Sequence, residues 1–122
     1  MPSLNKVLLM GNIGEIEELK QISEGKNVIK LTLATSEKRN DKKITTWHNV
    51  VIWDKQAELA EKYLTKGECI FIEGRINNRS YIGNDGAKKY VSEIIAERWQ
   101  FAEKFSQFAA PIMDNKTRSA LT

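Results

Sequence analysis

The residues best suited to chemistry are two tryptophans, Trp47 and Trp53, in one apolar segment. Residues 46–53 are mostly β-branched or aromatic and include no helix breaker, which predicts a β-strand. Side chains alternate along a strand, so both indoles are expected on one face and His48 on the other. Indoles exposed beside a lysine-rich segment would form a platform for stacking nucleobases. The alternative is that these tryptophans are core residues, as we expect for Trp99, which lies among apolar residues.

Basic side chains are frequent around this predicted platform. The residues that could contact phosphates are Lys38, Arg39, Lys42, Lys43, Lys55, Arg75, Arg79, Lys88 and Lys89. Neutralising phosphates releases counterions, so affinity for a polyanion would fall as salt rises. For any single lysine, an ordinary solvated surface is the simpler interpretation.

Composition indicates one globular domain without catalytic equipment. The chain has 122 residues, 41% of them hydrophobic, and a formal net charge of +3, which permits a polyanionic partner without requiring one. Its one histidine and one cysteine, Cys69, lack metal-ligand spacing, and no glycine loop could cradle a phosphate. No apolar run approaches the ~18 residues of a membrane span. We therefore expect no enzyme activity, no metal, no cofactor and no membrane partner.

The order of predicted elements suits a small barrel. Strands are predicted over residues 6–13, 28–35, 46–53, 68–78 and 89–101, and one helix over 54–64. Residues 15–22 fit a bent strand extension better than a short helix, 38–43 form a charged connection, and 83–86 give a hairpin turn. A helix between the third and fourth strands favours an all-β, five-stranded Greek-key barrel, although other small α+β folds also fit. Residues 1–103 would form this domain, and 104–122 a flexible tail.

The predicted helix has recognisable ends and one apolar side. Asp54 can cap its first turn, and Gly67 can end it. Its apolar stripe is expected to consist of Leu59, Ala60, Tyr63 and Leu64. Two glycines in the strands are also notable: Gly14 is expected in a turn, and Gly74 at a bulge or a close approach.

Several motifs occur in a familiar order. They are Asn5-Lys6-Val7, Gly11-Asn12-Ile13-Gly14, Leu33-Ala34-Thr35-Ser36-Glu37, Trp47-His48 followed by Val50-Val51, Tyr63-Leu64-x-Lys66-Gly67, and Ile72-Glu73-Gly74-Arg75. In these motifs the chain resembles the bacterial-type single-stranded DNA-binding protein family, from about Asn5 to Phe101. The agreement of several motifs in spacing makes the resemblance specific.

The resemblance implies a fold, a partner and roles for particular residues. It implies the OB-fold barrel, single-stranded DNA as the partner, and action in replication, recombination and repair in a bacterial cytoplasm, at the nucleoid. Trp47 matches a base-stacking tryptophan, while Trp53 and Tyr81 fall where the family has further stacking aromatics. His48 matches a histidine near a subunit contact, and the family's homotetramers imply self-association here.

The chain also departs from the family pattern. Lys38 stands where many members have another stacking tryptophan, and Asn49 occupies a position that is often basic. Fewer stacked bases and a larger share of charge are therefore expected. Residues 114–122 are not acidic, whereas many members end in an acidic tip that recruits replication and repair proteins. This ending argues against that recruitment role.

Three functions are candidates for this chain. The first is sequence-tolerant binding of single-stranded DNA, because every base has a face that can stack. The second is an OB-fold primosome or assembly factor, in which docking a protein partner matters more than nucleic acid. The third, a nuclease on a small β-barrel, has no cluster of carboxylates or histidines to support it. A choice between DNA and RNA does not follow from these residues.

Overall fold

The fold is that of a computed structural model that describes residues 1–102. The predicted tail over 104–122, with its non-acidic end, lies outside the described residues. In chain order the elements are β1 (Val7–Ile16), β2 (Lys20–Ser23), β3 (Lys26–Arg39), β4 (Lys42–Trp53), α1 (Asp54–Tyr63), β5 (Cys69–Ile82) and β6 (Lys88–Phe101).

The strands close into the predicted five-stranded barrel. Neighbouring strands follow the order β1-β5-β6-β4-β3-β2, and an additional β1–β3 pairing joins the two ends of the sheet. All pairings are antiparallel except the one between β4 and β6. The bent strand extension predicted for residues 15–22 is interrupted: β1 ends at Ile16, and the short β2, which begins at Lys20, pairs with β3. The helix therefore follows the third barrel strand, and the OB-fold prediction is confirmed.

Alternating apolar residues fill the interior of the barrel. Leu33, Val50, Ile52, Ile70 and Ile72 are at most 1% exposed and come from strands on several sides. Each alternates along its strand with residues that face outward, which is the pattern of a sheet buried on one side. Burying such side chains is the main favourable term in folding, so the barrel interior sets where the outer residues stand.

The helix packs a narrower stripe into this core than the sequence predicted. Ala57, Ala60 and the following Leu64 are buried, whereas Leu59 and Tyr63 are 39% and 57% exposed. Small alanines let the ten-residue helix approach the barrel closely, so the larger flanking side chains remain outside. Within residues 1–102, no helix is long and apolar enough to cross a membrane.

The predicted cap of this helix is wrong. The N-cap position belongs to Trp53, and no side chain caps the first turn. Asp54 instead uses its Oδ1 to accept a hydrogen bond from the backbone N–H of Asn27, at 3.1 Å. Asp54 has a φ of 54°, so the bond to β3 holds the chain where it turns from β4 into the helix. The helix ends at Tyr63, before Gly67.

The charged connection over residues 38–43 is also corrected. β3 continues to Arg39 and β4 begins at Lys42, so only Asn40 and Asp41 form the turn. Their φ angles are 51° and 64°, the left-handed pair typical of a tight hairpin turn, which Asn and Asp tolerate better than most residues. The basic residues of this segment thus stand on an ordered two-stranded hairpin.

Candidate nucleic-acid interface

Trp47 and Trp53 lie on the same outer face of the barrel, as their spacing predicted. In the β3–β4 ladder Trp47 pairs with Ala34 and Trp53 with Val28. Paired residues of neighbouring strands share a face, so the even-numbered residues of β3 stand beside the odd-numbered residues of β4. We call the outer surface formed by these residues, and by the residues of β5 and β6 in register with them, the Trp47 face.

Strand register brings Tyr81 onto the same surface. Val51 of β4 pairs with Ile95 of β6, and Ile95 pairs in turn with Arg75 of β5. From there the β5–β6 ladder runs without a register shift to Tyr81, which is opposite Lys89. Residues 75, 77, 79 and 81 therefore extend the Trp47 face along the β5–β6 hairpin.

The three aromatic side chains proposed for stacking are open to solvent. Trp47 is 59% exposed, Trp53 38% and Tyr81 50%. This excludes the alternative that the two tryptophans are core residues. Trp99, by contrast, packs against the core, donates its Nε1–H to the carbonyl oxygen of Gln56 at 3.1 Å, and lies edge-on to another ring. Its predicted packing role is confirmed.

A glycine supports the Trp47 indole. Gly14 lies within β1 and not at the turn predicted for it, because β1 continues to Ile16. A Cβ atom added to Gly14 would come within 2.2 Å of Trp47 Cζ3 and 2.8 Å of Thr32 Oγ1. The ring therefore lies directly against backbone that has no side chain, and 59% of Trp47 stays exposed.

The structure separates the nine predicted phosphate contacts. The alternation of side chains along the paired strands places five of them on the Trp47 face: Lys38, Lys43, Arg75, Arg79 and Lys89. Arg39 and Lys42 pair with each other on the reverse side of the β3–β4 hairpin, and Lys88 is on the reverse side of the β5–β6 hairpin. Lys55 lies in the first turn of α1.

Acidic neighbours distinguish the basic residues from one another. Within residues 1–102, ion pairs join Arg75 to Glu97 at 3.3 Å, Arg79 to Glu93 at 3.0 Å, Lys89 to Asp85 at 3.5 Å and Arg39 to Glu37 at 2.7 Å. No ion pair occurs at the remaining predicted lysines in this part of the chain, which are Lys38, Lys42, Lys43, Lys55 and Lys88. These lysines can bind a phosphate without first breaking an ion pair.

Sequence reasoning missed three residues that line the grooves of this face. Lys30 pairs with Val51 and lines two grooves, one on each side of it. Lys20 and Ile22 of β2 line the groove that holds Trp53. The alternation of β3 already put Lys30 opposite the core residues, but only the β3–β4 register shows that it stands between the two tryptophans.

Two further predicted positions are placed by the same ladders. Asn49 is exposed on the Trp47 face and lines one groove, where the family often has a basic residue. His48 lies on the reverse side, where its Nε2 is 2.8 Å from Thr35 Oγ1. A subunit contact through His48 therefore would not cover the aromatic surface.

The described residues contain no group of three or more histidine, cysteine or acidic side chains able to hold a metal ion. Burial raises the pKa of the Cys69 thiol above its ordinary value. A raised pKa keeps the thiol protonated at neutral pH, and the protonated form is neither a strong nucleophile nor a metal ligand.

Comparisons with known proteins agree on one family. The model of the single-strand binding protein family matches residues 4–102. A single-stranded DNA-binding protein of Rickettsia typhi is 39% identical over 104 residues, which cover 80% of this chain and 68% of the relative. Single-stranded DNA-binding protein 1 of Chlorobaculum tepidum is 41% identical over 103 residues, or 80% of this chain and 64% of the relative. The chain thus spans about two thirds of the length of these relatives.

A solved structure supports the same assignment. The chain resembles the Plasmodium falciparum SSB in its complex with ssDNA, with a TM-score of 0.72 and 31% sequence identity. The match covers 82% of this chain and 94% of the solved chain. With the closed barrel, the exposed aromatic face and the family match over residues 4–102, we conclude that the chain belongs to the single-strand binding protein family.

Proposed function

We propose that this protein binds single-stranded DNA without reading its sequence, and that it acts by binding alone. Trp47, Trp53 and Tyr81 would stack on bases, and the basic residues around them would neutralise phosphates. The observation that carries this proposal is that all three aromatic side chains are exposed on one face of the barrel. Relatives named for single-stranded DNA binding support the choice of ligand.

The mechanism follows from what unpaired nucleotides offer. A base in a duplex already stacks on its neighbours, whereas an unpaired base can place its π-face against an indole or phenol ring. Stacking tolerates any base, so the surface would select single strands and not sequences. The protein would therefore cover and protect exposed strands in replication, recombination and repair, which in a bacterial cytoplasm occur at the nucleoid.

The phosphate contacts we propose on the Trp47 face are five of the nine predicted residues, Lys38, Lys43, Arg75, Arg79 and Lys89, together with Lys30 and Lys20. Arg39, Lys42 and Lys88 on the reverse side, and Lys55 in α1, would contact only DNA that extends beyond this face. Lys38 and Lys43 face each other across the β3–β4 hairpin on the Trp47 face and have no acidic partner within residues 1–102. These two lysines can contact successive phosphates of a DNA strand that extends from Trp47 along the hairpin. Each phosphate contact made to a single strand should contribute about 0.7 to the slope of log K against log salt.

We also propose that the protein self-associates as a homotetramer through the reverse side of the β3–β4 hairpin. His48 and the 39% exposed Ile44 lie there, away from the Trp47 face. Joined subunits would wrap one strand and raise the effective concentration of neighbouring sites. Light scattering after size-exclusion chromatography measures the mass; Ile44→Glu should lower it, and a monomeric wild type would overturn this part of the proposal.

The test of binding is a titration of tryptophan fluorescence with oligo-dT at several salt concentrations. Stacking on Trp47 and Trp53 should quench emission strongly at low salt, and the apparent affinity should fall as salt rises. A duplex of the same length serves as the control and should quench little. Unchanged emission at saturating oligonucleotide and low salt would refute the proposed function.

A further inference from the structure

A buried acid lies within the Trp47 face. Glu93 of β6 is 7% exposed and is the one charged residue that residues 1–102 bury to this extent. It pairs with Asn77 in the β5–β6 ladder and lines both grooves of the face. A carboxylate in the path of a polyanion works against binding by charge alone, so its presence there calls for a physical reason.

Glu93 holds one edge of an arginine. Its Oε1 accepts a hydrogen bond from Arg79 Nε at 3.0 Å and a longer one from Asn77 Nδ2 at 3.4 Å. The guanidinium carbon of Arg79 lies 5.9 Å from the centre of the Tyr81 ring. The arginine is thus held from one side by a buried carboxylate and placed over a proposed stacking residue.

The other edge of this arginine remains available. Within residues 1–102 no hydrogen bond or ion pair engages the Nη1 or Nη2 atoms of Arg79, and its side chain is 43% exposed. A guanidinium is a planar fork whose terminal nitrogens match two phosphate oxygens. Because Glu93 uses only Nε, the terminal nitrogens stay free to face a strand.

The neighbouring arginine shows the opposite arrangement. Arg75 donates a hydrogen bond from its terminal Nη1 to Glu97 Oε1 at 3.3 Å, and both side chains are about half exposed. A phosphate that binds both terminal nitrogens of Arg75 must displace Glu97, whereas one that binds both terminal nitrogens of Arg79 leaves the contact with Glu93 intact. Two acids on one surface therefore have opposite expected effects on binding.

We propose that Glu93 is a positioning residue for the DNA backbone. It fixes Arg79 through Nε, so that the terminal nitrogens bind a phosphate of a nucleotide whose base stacks on Tyr81. This inference rests on the proposed function. It predicts that loss of the Glu93 acceptor weakens binding, although removing a negative charge from the face would by itself strengthen it.

The sign of the effect makes the test sharp. Glu93→Leu and Glu93→Gln remove the same charge, but only glutamine keeps an oxygen that can accept from Arg79. Anisotropy of a fluorescein-labelled dT oligonucleotide is measured for both variants over a range of salt. We expect Glu93→Leu to bind about tenfold more weakly, as for loss of one charge-assisted contact, with a salt slope lower by about 0.7. Glu93→Gln should recover most of the affinity and the slope.

Two controls separate positioning from other effects. Glu97→Gln removes a comparable charge from an exposed partner of Arg75 and should bind as well as the wild type or better. In an Arg79→Ala background, Glu93→Leu should weaken binding no further. Tighter binding by both Glu93 variants, or an equal loss with and without Arg79, would overturn the inference. A wild type that does not bind would refute the proposed function itself.

A measurement on the unaltered protein covers a variant that fails to fold. The side-chain Nε–H signal of Arg79 in nitrogen-15 spectra should exchange slowly with water, and should persist when the dT oligonucleotide is added. A signal that exchanges as fast as that of an unpaired surface arginine, free and bound, would show that Glu93 does not hold it and would overturn the inference.

Discussion

Replacing Trp47 by alanine separates base stacking from core packing. About 40% of the Trp47 surface is covered, and the backbone at Gly14 is one of the parts it lies against. At about 25 cal/mol per Å2, losing this contact should lower the free energy of unfolding by no more than about 2 to 3 kcal/mol. A domain stable by about 5–15 kcal/mol survives that loss, so the variant should remain folded.

The loss of binding affinity in Trp47→Ala should come from the missing stacking contact and not from unfolding. One stacked base contributes about 1–3 kcal/mol, which corresponds to a Kd raised roughly 5- to 150-fold in Trp47→Ala. Anisotropy of a labelled dT oligonucleotide at one salt concentration gives the Kd, and urea unfolding gives the stability. Anisotropy is preferred here because the substitution removes part of the tryptophan signal.

Trp99→Phe is the matched control for this measurement. It removes the hydrogen bond to the Gln56 carbonyl, at a cost of about 0.5–1.5 kcal/mol in stability, but leaves the Trp47 face untouched. Its Kd should equal that of the wild type. A folded Trp47→Ala that binds within twofold of the wild type, or a Trp99→Phe that loses as much affinity, would refute the assignment of the stacking surface.

Three further predictions concern the glycine beneath Trp47, the ion pair between Lys6 and Glu73, and the barrel core. Gly14→Ala should displace the Trp47 ring and weaken oligonucleotide binding in the anisotropy assay, with little loss of stability, because its clashes are with the side chains of Trp47 and Thr32 and not with backbone. The hydrogen bond from Lys6 holds the pKa of Glu73 below its ordinary value. This pair therefore stabilises the fold at pH values above the unfolded-state pKa of Glu73, and the stabilisation is lost as the pH falls through its folded-state pKa. Lys6→Met should therefore show a smaller loss of stability on acidification, measured by urea unfolding between neutral and acidic pH. Leu33→Ala, at 0% exposure, should lower the unfolding free energy by about 2–5 kcal/mol.

These predictions have their own controls. Gly74→Ala would place a Cβ atom 2.1 Å from the carbonyl oxygen of Ile95, at the bulge where β5 meets β6, so it should lower stability where Gly14→Ala does not. Wild-type affinity in Gly14→Ala would contradict the support given to Trp47. An acid-induced loss equal in wild type and Lys6→Met would contradict the role of that ion pair, and an unchanged unfolding midpoint in Leu33→Ala would contradict the core.

The amino-acid sequence by itself determined the local features of this protein. Alternation along residues 46–53 was sufficient to place Trp47 and Trp53 together and opposite His48, because a strand has a period of two residues. Turn residues and the order of strands and helix indicated the barrel. The helix cap predicted at Asp54 was wrong because its carboxylate accepts a hydrogen bond from the backbone N–H of Asn27, a residue distant in the chain.

Only the tertiary structure decided which distant residues share a surface. The parallel β4–β6 pairing and the β5–β6 register bring Tyr81, Arg79 and Glu93 to the Trp47 face, whereas Lys88 falls on the reverse side. A shift of one residue in either ladder would exchange these sets, and no local pattern specifies such a pairing. Burial is equally non-local: Glu93 is covered only because strands far apart in sequence meet around it.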